Sequence, residues 1–368
     1  MARRAREVRR WIGGTRAAGA VCVVLVAAQL TAVGRAAPRD DPGPSPRRAH
    51  ARRPTTDPGP SARAGPASRA AAHPAARPRQ WVDMRNVDLR LSDQITIRVR
   101  VLHGEVLRVH PEQPATLDDP TSFHIRVTAG TVALTGDDLG AILNYSVFAY
   151  PGAPLRDIRV RTDGAQIIQT GVMHKGVDVR FRLRGTLTVM PDGRIRLHPT
   201  AVQTLGVNGE KVLHLVGLHL DDLLDLSRAR GATVKGDDLY LDPHVILPPP
   251  AIDGRLMAIG IEGDAVVQQF ARDPDDTVFG RYVRADTSDP NYIYFRGGEL
   301  RFGKLLMTDT DLRIIDAEPR TPFDMSLPHY ARQLVAGRSR TLANLGLVVY
   351  MPDFSSLPTS QSAATPSH

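Results

Sequence analysis

Cysteine is all but missing from this 368-residue chain, and its one thiol, Cys22, lies inside an apolar stretch near the N-terminus. Everything after that stretch can form no disulfide and offers neither a thiolate metal site nor a thiol nucleophile, which fits an oxidising compartment. Aromatic residues are scarce too, at 5%, so an apolar interior has to be built from aliphatic side chains. There is no G-x-S-x-G elbow and no H-E-x-x-H pair, and no Cys/His cluster has metal-ligand spacing. Those gaps remove the serine and thiol hydrolases and the zinc enzymes with recognisable spacing, and the chain is read as a non-enzyme with no cofactor and no metal.

A basic surplus is missing from most of the chain as well. Residues 1–79 hold 16 Arg, no Lys and four acids (Glu7, Asp40, Asp41, Asp57), a net of +12, which leaves 31 bases against 35 acids, a net of −4, for the rest. The high isoelectric point thus belongs to the N-terminal segment. Phosphate contacts need a basic surface, so nucleic acid is excluded as a partner of the body.

What the N-terminus does have is the layout of an export signal. An Arg-rich segment to Arg16 precedes the apolar run Ala17–Val33, and Gly34-Arg35-Ala36 offers a small-residue cleavage site. A retained anchor is the alternative: a helix over 17–33 would span roughly 26 Å, slightly short of a hydrocarbon core of about 30 Å. Either way the expected location is outside the cytoplasm, in the periplasm or beyond, with tethering to the inner membrane through residues 17–33 in the second case. Residues 37–79 are rich in Pro, Ala and Arg and cannot bury an apolar face, so a disordered linker is expected there. It is read as a spacer, with membrane contact through this basic segment as the functional alternative.

From Trp81 the pattern changes to period two. Ile95, Ile97, Val99 and Val101 alternate with Thr96, Arg98 and Arg100, and Val177, Val179, Phe181 and Leu183 alternate with Arg180, Arg182 and Arg184. Strands with one dry and one wet face belong to antiparallel sheets. Asp163-Gly164, Lys175-Gly176, Gly263-Asp264 and Gly297-Gly298 each read as a hairpin turn. Two helices are expected. One follows Thr135 as N-cap, with Leu139, Ile142, Leu143 and Val147 as its stripe; the other spans roughly 218–230, with Leu220, Leu223, Leu224 and Leu226 apolar. Leu247–Pro250 reads as an extended corner and ARDPDDTVFG, after Phe270, as a loop.

The fold class is therefore α+β and β-dominated: a long curved antiparallel sheet of hairpins wrapped around one or two helices over 80–272. A smaller hairpin-and-helix unit follows over 273–354, then a disordered tail over 355–368. Gly298–Lys304 has the spacing of a phosphate loop, but Leu305 replaces the hydroxyl that holds magnesium and the interior alternates like a strand. Asp273-Pro-Asp275-Asp276 lacks the glycine and the bidentate glutamate of a calcium loop. His174 and His198 flank turns and are expected at the surface.

Residues from about 125 to 270 loosely resemble the LmeA-like bacterial phospholipid-binding proteins, which look like half of a tubular lipid-binding (TULIP-like) fold. The likeness lies in Leu134-Thr-Gly-Asp-Asp-Leu139 opening a helix, the hairpins from Ile158 to Leu205, and a second helix. Ile246-Leu-Pro-Pro-Pro and Gly260-Ile-Glu-Gly-Asp-Ala-Val-Val267 complete the order. The resemblance implies a phospholipid or another amphiphile as partner. The groove candidates are Leu139, Ile142, Leu143, Val147, Val179, Phe181, Leu183, Leu220, Leu223 and Leu224. A scaffold or protein-interaction module whose core is filled by its own side chains is the competing expectation.

Overall fold

The structure is a computed structural model and describes residues 78–205, 219–282 and 288–358. The leader, residues 37–77 of the linker and residues 359–368 of the tail lie outside the described residues, while Pro78 and Arg79 at the linker's end are described. Four strands open the fold: β1 (Trp81–Arg90), β2 (Thr96–Arg108), β3 (Ala115–Thr116) and β4 (Phe123–Thr135). Helix α1 (Gly136–Ile142) follows, then a wider turn over Leu143–Val147 in which the Phe148 amide donates to the Leu143 carbonyl. Next come β5 (Leu155–Asp163), β6 (Gln166–Lys175), β7 (Val177–Val189) and β8 (Ile195–Leu205). Beyond residue 218 lie α2 (Leu220–Leu223), β9 (Ala232–Lys235), β10 (Asp238–Leu241) and α3 (Pro243–Ile246). The strands β11 (Ala251–Asp253), β12 (Leu256–Glu262) and β13 (Ala265–Phe270) lead to α4 (Asp275–Tyr282). The chain then forms β14 (Tyr292–Arg296), β15 (Leu300–Phe302), β16 (Leu305–Met307), β17 (Asp311–Asp316) and β18 (Phe323–Ser326). Helix α5 (Tyr330–Ala336), β19 (Arg338–Thr341) and β20 (Leu347–Met351) finish it.

The molecule is β-dominated α+β. Its strands sort into a large sheet of order β12-β13-β4-β2-β1-β14-β17-β20-β19 with β11 beside β4 and β18 beside β1, a six-stranded sheet β5-β6-β7-β8-β10-β9, and a small sheet β16-β15-β3. The expected period-two faces are present with two departures. In β2, Ile97 and Val99 turn inward, but a bulge after Val99 gives the next inward place to Leu102 instead of Val101. In β7, Phe181 and Leu183 are buried while Arg180, Arg182 and Arg184 are exposed, with Val177 exposed at the hairpin tip. Buried residues of both large sheets and of α1 make one continuous core.

Helix α1 starts as its sequence dictates. The Thr135 hydroxyl accepts from the Asp138 amide at 3.3 Å, and the Asp138 carboxylate accepts from the Thr135 amide at 2.8 Å, a reciprocal cap. Gly136 is required by contact: a Cβ there would stand 2.2 Å from the Val160 carbonyl oxygen. Asn144 then ties the helix end to β5, donating to the Ile158 carbonyl at 2.7 Å and accepting from the Ile158 amide at 2.9 Å.

Several expectations need correction. The strands from Ile95 to Phe270 do not make one antiparallel wrap. They divide between two sheets, and the larger is mixed, because β1 with β18, β4 with β11 and β17 with β20 run parallel. Crossover connections through α3 and α5 bring those later strands back in the same direction as their neighbours. The second helix is one turn, Leu220–Leu223. From Leu224 the backbone is extended (φ −119, ψ 116), with Leu224 and Leu226 buried on either side of an exposed Asp225. Residues 275–282 are helix rather than loop: the Asp273 carboxylate accepts from the Asp275 amide at 2.9 Å and Pro274 opens the turn. Gly297-Gly298 does not close a hairpin, since β14 pairs with β17 while β15 belongs to the small sheet. Of the strands in residues 273–354, β14, β17, β18, β19 and β20 extend the same large sheet through β1, while β15 and β16 join β3 in the small sheet.

Candidate functional site

The inner face of the six-stranded sheet lies against α1 and the edge of the large sheet, and three neighbouring hollows that share wall residues form a groove there. The widest is a mouth of about 770 Å³ edged by Tyr150, His174, Lys175, Asp221, Asp222 and Arg228. Leu223, Leu224 and Val234 line both this mouth and an apolar compartment of about 40 Å³ whose other walls include Met173, Phe181, Leu183, Val202 and Leu220. Gln169 and Leu239 border both that compartment and a deeper one of about 50 Å³, walled by Leu139, Ile142 and Leu143 of α1, Ile167 and Leu197 of the sheet, and Val266 of β13.

Eight of the ten residues singled out from the sequence line these compartments. Leu139, Ile142 and Leu143 belong to the deep one; Phe181, Leu183, Leu220, Leu223 and Leu224 belong to the outer one. Val147 is fully buried in the core and lines neither compartment, because the wider turn after Ile142 rotates it off the α1 stripe. Val179 is half-buried, near the end of β7 where the hairpin passes beyond the core.

Charge is confined to the mouth. The Lys175 amine donates to the Asp222 carbonyl, the Asp222 carboxylate accepts from the His219 amide at 3.2 Å, and the Arg228 guanidinium lies over the Tyr150 ring at 5.0 Å. Burial raises the Tyr150 phenol above its ordinary value, partly offset by Arg228. Inside the threshold the polar side chains are Gln169, Gln268 and Thr204, set among aliphatic walls. His174 and His198 are at the surface, each beside a carboxylate (Asp178 at 2.8 Å, Asp238 at 2.7 Å).

The chain matches no family model, no curated protein and no solved structure.

A polar cluster on the opposite side of the large sheet had no forewarning, because α4 was expected to be a loop. His103 stacks on Phe279 (4.3 Å between ring centres) and its Nδ1 lies 2.8 Å from Asp276, while Asp83 accepts from the Tyr292 hydroxyl at 2.9 Å. Burial pushes the Asp83 carboxyl above the usual carboxylate range, against the opposing pull of the Tyr292 hydrogen bond. Beside it Glu105 is held by Arg79 (2.7 Å) and Arg126 (2.6 Å), and both guanidinia also bind Asp275 at 2.8 Å. Burial alone would raise Glu105, but the two guanidinium hydrogen bonds outweigh it and hold its pKa below the ordinary value. These groups are spent on one another, and together they clamp α4 to β2 and β4. Among the described residues no group of three or more His, Cys, Asp or Glu could hold a metal ion, and no helix is long and apolar enough to cross a membrane.

Proposed function

We propose that the protein is a non-catalytic, exported envelope protein that binds a lipid or another amphiphile in the groove between the six-stranded sheet and α1, in the manner of a TULIP-like half. The observation that carries this reading is the polarity gradient across three adjoining hollows. A charged mouth of about 770 Å³ adjoins, at Leu223, Leu224 and Val234, the first of two neighbouring compartments whose walls are apolar apart from Gln169, Gln268 and Thr204. A head group fits the first part and an acyl chain the rest, where each buried CH₂ is worth roughly 0.8 kcal/mol. The resemblance of residues 125–270 to LmeA-like proteins supports the same class of partner, and the Arg-rich leader and apolar run support export.

The width of the path favours a second reading. The two apolar compartments hold about 40 and 50 Å³. A chain enters only if the six-stranded sheet and α1 part, whereas a filled core needs no such opening. On that reading the protein is an envelope scaffold or interaction module with no ligand. Native mass spectrometry on protein exported and purified without detergent, followed by lipid extraction, separates the two. Co-purified amphiphile at near one equivalent supports the carrier. Empty protein that also refuses added phospholipid leaves the scaffold.

A further inference from the structure

Two glutamines line the groove among aliphatic neighbours. Gln169 on β6 is 3% exposed and Gln268 on β13 is 7% exposed, both border the deep compartment, and no side-chain hydrogen bond joins either amide to another described residue, although neither amide is sealed off from the small space it borders. An amide left facing so small an apolar space has hydrogen-bonding capacity that an aliphatic residue there would not bring. Aliphatic residues surround both positions, Ile167 and Leu183 next to Gln169 and Val266 and Ile259 next to Gln268, so such a residue would be accommodated. The amides face the same cavity from two different sheets. Each presents both a donor and an acceptor.

Their depth is set by β6. That strand runs from His174 at the mouth past Met173 to Gln169, five residues or about 17 Å inward at 3.3 Å per residue, roughly the reach of a dozen extended chain carbons. A head group at the mouth thus puts the amides against the middle of an acyl chain rather than against its ester linkage.

We propose that the groove selects amphiphiles whose apolar part carries a hydrogen-bonding oxygen, a hydroxyl, keto or ester group, about a dozen carbons in from the head group. The proposal rests on the amphiphile reading given above and adds its substrate class. Gln169 and Gln268 bind that oxygen and so discriminate against a plain hydrocarbon chain, which would leave both amides unpaired.

The test compares two probes of equal length, octadecanoic acid and 12-hydroxyoctadecanoic acid, by isothermal titration of detergent-free protein. The hydroxylated acid should bind about 10-fold more tightly, the value of one to two buried neutral hydrogen bonds. In the double variant Gln169→Leu, Gln268→Leu the preference should vanish or reverse, while octadecanoic acid still binds. Equal affinity of the native protein for the two acids would mean that the amides hold only water, and overturns the selectivity while leaving the groove intact. Binding of neither acid overturns both this proposal and the groove reading.

Discussion

Gln333 and Gln169 are the same residue, buried to the same degree, in opposite circumstances. Gln333, on α5, is 0% exposed and fully engaged: its oxygen accepts from the Ser326 amide at 2.8 Å and its nitrogen donates to the Asp324 and Pro352 carbonyls, each at 2.9 Å. Gln169 is 3% exposed and its side chain makes no hydrogen bond to another described residue, its amide facing the small space beside it. The contrast extends to their surroundings. The core around Met84, Phe123, Ile293 and Met325 leaves a void of about 20 Å³, while Gln169 borders two compartments of about 40 and 50 Å³, the first of which adjoins the open mouth. The groove side keeps more space around its buried amide, as expected where something else completes the packing.

The sharpest way to break this comparison is at Gln333. Gln333→Leu strands one amide and two carbonyls in a dry environment, and should cost about 3–5 kcal/mol in denaturant unfolding. A loss under 1 kcal/mol would mean that the C-terminal side is no better satisfied than the groove. Next in size is Gly136→Ala, which drives a Cβ to 2.2 Å from the Val160 carbonyl and should cost about 1–3 kcal/mol, since the obstacle is backbone. Because α1 walls the deep compartment, this variant should also weaken amphiphile binding more than its stability loss alone would.

The sheets were legible in the sequence because burial on one face imposes period two, which Ile95, Ile97 and Val99 and then Phe181 and Leu183 obey; a bulge after Val99 passes the inward phase from Val101 to Leu102, and Val177, at the hairpin tip beyond the core, is 67% exposed. Helix α1 was legible because Thr135, Asp138 and the Leu139–Val147 stripe agree with one another. The second helix misled for a physical reason. Leu220, Leu223 and Leu224 satisfy a helical period, but Leu224 and Leu226 equally satisfy period two, and packing over the groove entrance chose the extended form. Helix α4 does carry a signal in Asp273-Pro274-Asp275-Asp276, a cap followed by proline, but the same residues suit a surface loop equally well. Parallel pairings such as β1 with β18 join residues far apart in the chain, and no local pattern encodes them. Most of the groove lining could be named from the strand and helix phases. The two amides were equally available: Gln169 shares the inward phase of Ile167, and Gln268 that of Val266, so a polar residue at an inward position was the clue.

A smaller effect contrasts the charged clamp with the uncharged groove. Glu105 has a depressed pKa in the folded protein, because hydrogen bonds from Arg79 and Arg126 outweigh the effect of burial. A carboxylate lowered on folding contributes stability above its unfolded pKa of about 4.3 and loses it as pH falls through the folded value. Native protein should therefore become steadily less stable below about pH 5. Glu105→Gln should cost about 1–2 kcal/mol at neutral pH, a modest figure because both guanidinia are a third exposed, and should flatten that acid limb. An unchanged limb would assign the acid sensitivity elsewhere, with Asp324, held low by Arg90 and Ser355 against its burial, as the next group to replace.

The smallest expected effect says the most about the groove. Gln169→Leu deletes a buried amide that has no partner to lose, so the ligand-free protein should unfold at the same denaturant concentration or slightly higher, within about 0.5 kcal/mol of neutral on the unfavourable side. Set beside Gln333→Leu, that places a difference of several kcal/mol on one identical substitution at two equally buried sites. Should Gln169→Leu cost as much as Gln333→Leu, its amide is bonded through ordered water within the fold, and the groove is a hydrated seam of the core rather than a place left open for a ligand.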